Sequence, residues 1–216
     1  MSPAVESGDV VDNVRRAIFE GDFVPGQRLI EVDLSSQFHA SRATVRSALV
    51  QLAGEGLVER IQNRGARVRA VSLDEAIEIS EVRMVVEGLC AAKAAERASD
   101  QDLATLRGIG DDMRAAVDGG DVLAYSELNR RLHTTVRAVA DQGVADAVLD
   151  RLRGQNVRHQ YRLALLPGRA SVSLPQHLEI VEAICARDAS RAEAAMRAHL
   201  ASVIETLPQV GSPAAT

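Results

Sequence analysis

The sequence of 216 residues predicts a mainly α protein of two units: three helices with a β-hairpin, then an all-α bundle of six helices. Three observations predict it. Hydrophobic residues are 46% and charged residues 25%, with only 6 Pro and 15 Gly, a composition that builds a core and leans towards helices. The apolar period turns strand-like once, between residues 57 and 71, and is helical elsewhere. Charge is divided unevenly: residues 1–70 carry nine Arg against nine acidic groups, whereas residues 71–216 hold the whole net charge of −5. Aromatics are 2% with no Trp, so Leu, Val, Ile and Ala must fill the core. A disordered chain, a collagen-like repeat and a disulfide miniprotein are excluded.

The first unit is expected over residues 1–71. Val10, Val11, Val14, Ala17 and Ile18 recur at helical spacing and stop at Gly21, a natural helix terminator. Pro25-Gly26 makes a turn. Residues 31–38 form a short helix with Leu34 and Phe38 inward. Ser41 is the expected N-cap of a third helix, whose apolar face carries Val45, Ala48, Leu49 and Leu52. Residues 57–61 and 66–71 then flank Gln62-Asn63-Arg64-Gly65, and Ala66, Val68 and Ala70 alternate with Arg67 and Arg69. Three helices and a hairpin is the order of a winged helix-turn-helix.

The second unit is expected over residues 72–208. Ser72-Leu73-Asp74-Glu75 has the form of a capping box. Helices are predicted over about 73–97, 101–117, 121–140, 144–166, 174–186 and 189–206, and residues 209–216 as a disordered tail. No run of 18 apolar residues spans a membrane. The start, MSPAVESGDVVDN, lacks the basic and apolar regions of a signal peptide, and Cys90 and Cys185 read as small buried hydrophobes. A reducing cytoplasm is the expected compartment.

The stretch Ser41 to Arg46, SRATVR, opens the third helix with polar and basic side chains, as a helix entering a DNA major groove requires. Arg42 and Arg46 share a face away from Val45 and Leu49, and arginine's planar fork suits guanine O6/N7. Arg64-Gly65 stands at the hairpin tip. Residues 41–69 carry six Arg against two Glu. Either arginine alone would read as part of a solvated face; the helix order and the local charge together favour DNA.

Gly21…Pro25-Gly26…Leu29, Ser41–Leu49, Glu55-Gly56-Leu57-Val58 and Arg64-Gly65 resemble, in order, the motifs of the DNA-binding domain of GntR-family transcriptional regulators. The resemblance implies DNA contacts at Ser41, Arg42, Thr44, Arg46 and Gly65. Thr44 stands where the family usually has Pro, Ser47 where it has Glu, and His39 where it has Gly, so that corner needs a residue tolerant of left-handed backbone. Val32 occupies the place of a contacting Arg in some members, which implies one contact fewer.

Asn129 and His133, four apart, share a helix face. His177 and His199 are 22 apart about residue 188, the predicted turn between the last two helices, so they face each other across an antiparallel hairpin. Three imidazoles and an amide oxygen suit Zn²⁺ or Ni²⁺ with positions left for a ligand. Spacing alone leaves this level with three unrelated core histidines. Residues 73–206 resemble the all-helical FCD ligand-binding domain of the FadR branch, in which Asp or Asn, His four later, and two His on the last helices hold a metal. That resemblance implies a metal at Asn129, His133, His177 and His199. It also places Arg83 in the same cavity, where it would clamp a carboxylate; the bland alternative is a surface ion pair with Glu87 at i+4.

The expected protein is thus a regulator, a repressor by family habit, that binds a pseudo-palindromic double-stranded operator as a homodimer. A small organic acid at or near a divalent metal would control it, and no membrane is involved. Two rival readings are a metal-dependent enzyme built on the His cluster and a metalloregulator sensing the ion itself. No H-E-x-x-H, G-x-S-x-G or dinucleotide fingerprint supports an enzyme.

Overall fold

The computed structural model of the protein describes residues 7–61, 65–164 and 166–211. Among them the chain forms α1 (Ser7–Glu20), β1 (Arg28–Leu29), α2 (Glu31–Gln37), α3 (Arg42–Gly54), β2 (Val58–Arg60) and β3 (Ala66–Val68). Then follow α4 (Leu73–Arg97), α5 (Asp100–Asp118), α6 (Val122–Ala140), α7 (Gly143–Ala164), α8 (Arg169–Cys185) and α9 (Ala189–Gly211). Two compact units meet in sequence at Ser72 and Leu73. None of the described helices is long and apolar enough to cross a membrane.

In the first unit Val10, Val11, Val14, Leu34, Val45, Leu49 and Leu52 form one buried cluster with Leu57 and with Val58, Ala66 and Val68 of the sheet. Gly21 ends α1 at φ +89°. His39 takes the left-handed corner between α2 and α3 at φ +52°. The sheet has the order β1-β3-β2, all antiparallel, with Leu29 opposite Ala66 and Glu59 opposite Arg67. The sequence reading has only the hairpin. Two residues show no alternation; what makes β1 a strand is the turn before it, since Gly26 N–H donates to Val68 O at 2.8 Å and Val68 N–H to Gln27 O at 2.9 Å.

The second unit surrounds a core of Ala91, Ala94 and Ala95 (α4), Leu106, Ile109 and Met113 (α5), Leu132 and Val136 (α6), Ile180 and Ile184 (α8), and Met196 and Leu200 (α9). Each large side chain so buried contributes roughly 1.5–3 kcal/mol. Alanines and Gly88 let helices approach closely: a Cβ on Gly88 would lie 2.8 Å from Arg197 Cγ of α9. Ser99 and Asp102 form a reciprocal capping box that starts α5, and Asp121 caps α6.

Two boundaries differ from the prediction. α8 begins at Arg169, not 174, and runs through Pro175; its buried face carries Arg169, Ser173, His177, Ile180 and Ile184. α9 continues past 206 and through Pro208 to Gly211, because Leu207 and Val210 are buried; their burial offsets the backbone hydrogen bond that proline removes. The tail predicted from residue 209 is therefore helical to Gly211, and 212–216 lie outside the described residues. Cys90 is buried and Cys185 half-buried, both as free thiols.

Candidate functional site

The first surface is the N-terminus of α3. Ser41 caps it, its Oγ accepting from Thr44 N–H at 3.0 Å and lying 2.7 Å from Thr44 Oγ1. Val45, Leu49 and Leu52 turn into the core, which leaves Arg42 and Arg46 exposed on the opposite side. Arg46 is gripped by Glu31 of α2, Nε donating to Oε1 at 3.2 Å and Nη2 to Oε2 at 2.9 Å. That hydrogen bond holds the Glu31 carboxyl below its ordinary range, and the charges of Arg42 and Arg60 act the same way. Val32 is exposed beside this surface. Gly65 has φ +86°, and a Cβ there would stand 2.5 Å from the Leu29 carbonyl oxygen, so only glycine lets the hairpin close on β1. Arg64, the expected wing contact, lies outside the described residues.

The second site gathers three histidines from three helices. One ring nitrogen each from His133 (α6), His177 (α8) and His199 (α9) lies within 4.8 Å of the other two. His177 Nε2 and His199 Nε2 are 3.2 Å apart. Two imidazoles bound tetrahedrally at about 2.0–2.1 Å from one Zn²⁺ would place their nitrogens about 3.3 Å apart, so the spacing fits a shared ion. The α8–α9 turn at Ala186–Asp188, with Arg187 at φ +57°, sets the two histidines at one level.

Every Nδ1 has its own partner. His133 Nδ1 donates to Glu87 Oε2 at 2.6 Å, and His199 Nδ1 donates to Gln176 Oε1 at 3.1 Å. His177 Nδ1 meets Tyr125 OH at 2.8 Å. An acceptor at Nδ1 puts the proton there and leaves the Nε2 lone pair bare. Because a phenol can donate or accept, His177 has both tautomers open to it: one donates from Nε2 to His199, the other offers two bare Nε2 atoms to a cation. Asn129 Oδ1, one turn before His133 on α6, is buried without a hydrogen-bond partner among the described residues. Three imidazoles and an unpartnered amide oxygen are the donor types a borderline divalent ion takes.

Electrostatics agree. Burial, then the neighbouring imidazole and arginine charges, hold His177 and His199 well below the ordinary histidine range, so both are neutral near pH 7. Burial pushes Glu87 upward, but Arg83 and His133 outweigh it and leave the carboxyl strongly acidic. Burial raises the Tyr125 phenol above its usual range. Arg83 Nε donates to Glu87 Oε1 at 2.8 Å. This is the i+4 pair expected as the bland alternative, but it is buried, with 12% and 5% side-chain exposure, and abuts His133 instead of solvent.

The sequence reading brings Asn129, His133, His177 and His199 to one face and misses the residues that orient them. Tyr125 had a signal, standing four and eight residues before Asn129 and His133 on one helix face. Glu87 and Gln176 had none, because tertiary packing alone delivers them.

Residues 78–202 match the FCD domain, and residues 6–68 match the bacterial regulatory proteins of the gntR family. The chain is 28% identical over 197 residues to the HTH-type transcriptional repressor RspR of Escherichia coli, covering 91% of this chain and 86% of that one. It is 26% identical over 204 residues to a probable D-xylose utilization operon transcriptional repressor of Paenarthrobacter nicotinovorans, covering 92% and 87%. Among solved structures, Escherichia coli McbR/YncC shares the fold with a TM-score of 0.79 at 20% identity, over 96% of this chain and 99% of that one.

Proposed function

The chain belongs to the GntR family of bacterial transcriptional regulators and carries the family's FCD domain, and from that premise we propose how it works. It binds a pseudo-palindromic operator as a homodimer, represses from it, and lets go when a small organic acid binds at a divalent metal in the second unit. The observation that carries this reading is the convergence of three imidazoles, each oriented by a separate Nδ1 partner, with the orphaned Asn129 oxygen one helical turn before His133 on α6. Asn129, His133, His177 and His199 would hold Zn²⁺ or Ni²⁺, which supplies a Lewis acid able to accept an effector carboxylate. Arg83, with its charge shared by Glu87, would meet the same carboxylate.

On the DNA side, Ser41, Arg42, Thr44 and Arg46 present the α3 N-terminus to the groove, with Arg64 and Gly65 at the wing. The residues that support dimerisation are Val82, Val85 and Leu89 of α4, exposed at i, i+3 and i+7, with Val144 and Val148 of α7 also exposed. An apolar stripe of this kind marks an interface. The rival enzymatic reading is set aside because the family consists of regulators.

The test is metal content by mass spectrometry together with operator binding by fluorescence anisotropy, for wild type, His177→Ala, His199→Ala and Asn129→Asp. Wild type should carry about one ion per chain, the two alanine variants almost none, and Asn129→Asp should hold it more tightly. Organic acid should release operator only from metal-loaded wild type. Equal metal content across the set overturns the shared site. Release by the ion alone, without acid, supports the metalloregulator instead.

A further inference from the structure

Arg169, the first residue of α8, is a buried cation with no counterion among the described residues. Its residue exposure is 7%. Nη1 donates to Ser202 Oγ at 3.1 Å and to Thr206 Oγ1 at 3.0 Å, both on α9, with the Ser202 carbonyl oxygen at 3.5 Å. Nη2 is buried and has no hydrogen-bond partner among the described residues. These contacts are to neutral oxygens, and the sequence has no acidic residue between Asp150 and Glu179 or after Glu205. An arginine is not relieved by deprotonation, and a charge removed from water without a partner is costly.

Its position says what the charge faces. Arg169, Ser173 and His177 recur at i, i+4 and i+8 on the buried face of α8, and His199, Ser202 and Thr206 recur at i, i+3 and i+7 on α9. The two columns pair across the hairpin, His177 with His199 and Arg169 with Ser202 and Thr206. One polar strip therefore runs from the imidazoles to the guanidinium, about two helical turns along α8. The charge of Arg169 is felt by His177, His199 and Tyr125. Arg83, whose charge His199 also feels, already has Glu87. Arg169 has no such partner among the described residues.

We propose that Arg169 anchors the anionic end of the effector, a carboxylate or a phosphate that closes on its free Nη2 while Ser202 and Thr206 fix the guanidinium through Nη1. The inference rests on the second unit being the effector domain, but it does not require the metal. Charge-assisted hydrogen bonds to a dry guanidinium are the strong kind, so this contact selects anions over neutral molecules of the same shape.

The experiment is thermal melting of the full-length protein with sodium acetate, sodium succinate or inorganic phosphate, each against chloride at equal ionic strength, in wild type, Arg169→Met and Arg169→Lys. Metal content is measured on the same samples. At least one anion should raise the wild-type Tm. Arg169→Met should increase the concentration for a half-maximal shift about tenfold or more, with metal content unchanged, and Arg169→Lys should keep part of the response. A response to the carboxylates alone assigns an organic acid, and one to phosphate alone a phosphorylated effector. Without added anion, Arg169→Met should melt no lower than wild type, since it removes an unpaired buried charge; a lower Tm makes Arg169 a structural tether and overturns the proposal. So does a wild-type Tm that no anion moves, or a shift that survives in Arg169→Met. Loss of metal in wild type with an Arg169-dependent shift retained refutes the metal reading and leaves this one standing.

Discussion

At the scale of single residues, side chains are committed before any ligand arrives. Arg46 is held by Glu31 in an exposed pair, and exposed pairs contribute little. The arginine can leave for DNA at small cost, so Glu31→Gln should bind operator at least as tightly as wild type. Arg46→Ala and Arg42→Ala should each weaken specific binding about tenfold or more, read by anisotropy at physiological salt, with unchanged melting. Normal binding by either variant removes that arginine from the interface. Gly65→Ala puts a Cβ 2.5 Å from a backbone carbonyl at a φ of +86° and should destabilise the first unit by about 1–3 kcal/mol, seen as a lower urea midpoint. The buried histidines add a pH dependence. The native state holds His177 and His199 neutral, whereas the unfolded chain takes up their protons near pH 6.5. Below about pH 6.5 the unfolded state therefore binds more protons, and stability falls with pH. Chelator-treated protein should melt at steadily lower temperature from pH 7 to pH 5; a flat profile contradicts neutral burial.

At the scale of elements, the α8–α9 hairpin is the part on which the site depends. Its turn sets His177 against His199, and it packs on α4, whose own packing against α6 brings Glu87 to His133. Gly88 sits next to Glu87 where α4 meets Arg197 and Glu193 of α9. Gly88→Val should force the two helices apart, costing about 1–3 kcal/mol by overpacking, and should lower metal affinity by moving Glu87 off His133. Thermal melts and metal content measured together check this. A variant that is destabilised but retains full metal affinity would show that Glu87 does not orient His133. A Gly88→Ala change should be milder, because the nearest atom is the flexible stem of Arg197.

At the scale of the whole molecule, the exposed stripe of Val82, Val85 and Leu89 is the surface expected to pair two chains. A pseudo-palindromic operator is read by two recognition helices, so dimerisation and DNA affinity are linked. Val85→Asp with Leu89→Asp should give a monomer by sedimentation, because desolvated carboxylates on an apolar face repel association. The same variant should lose operator affinity by far more than either arginine change in α3 while keeping the helical content of wild type. A dimer that persists would place the interface elsewhere.

Much of this was legible along the chain because it depends on short-range rules. Val10 to Ile18 and Val45 to Leu52 have one apolar face each, Ser41 caps, Gly21 terminates, and these follow from steric and hydrogen-bonding preferences within a turn of helix. The pairing of His177 with His199 was legible too, because reflection about a tight turn is a property of sequence distance. Other features needed the folded chain. β1 exists only because β3 offers it a partner, α9 runs through Pro208 because burial of Leu207 and Val210 outweighs a local penalty, and Arg46 meets Glu31 from another helix. Glu87, Gln176 and Tyr125 around the imidazoles, and the Ser202 and Thr206 oxygens on Arg169, are delivered by packing between helices. The sequence by itself determined the helices, the hairpin and the residue types that carry the chemistry, since local free energies decide these. Only the tertiary structure decided which nitrogen each histidine turns inward and which buried arginine has no counterion among the described residues, because hydrogen-bond partners and desolvation are set by neighbours tens of residues away.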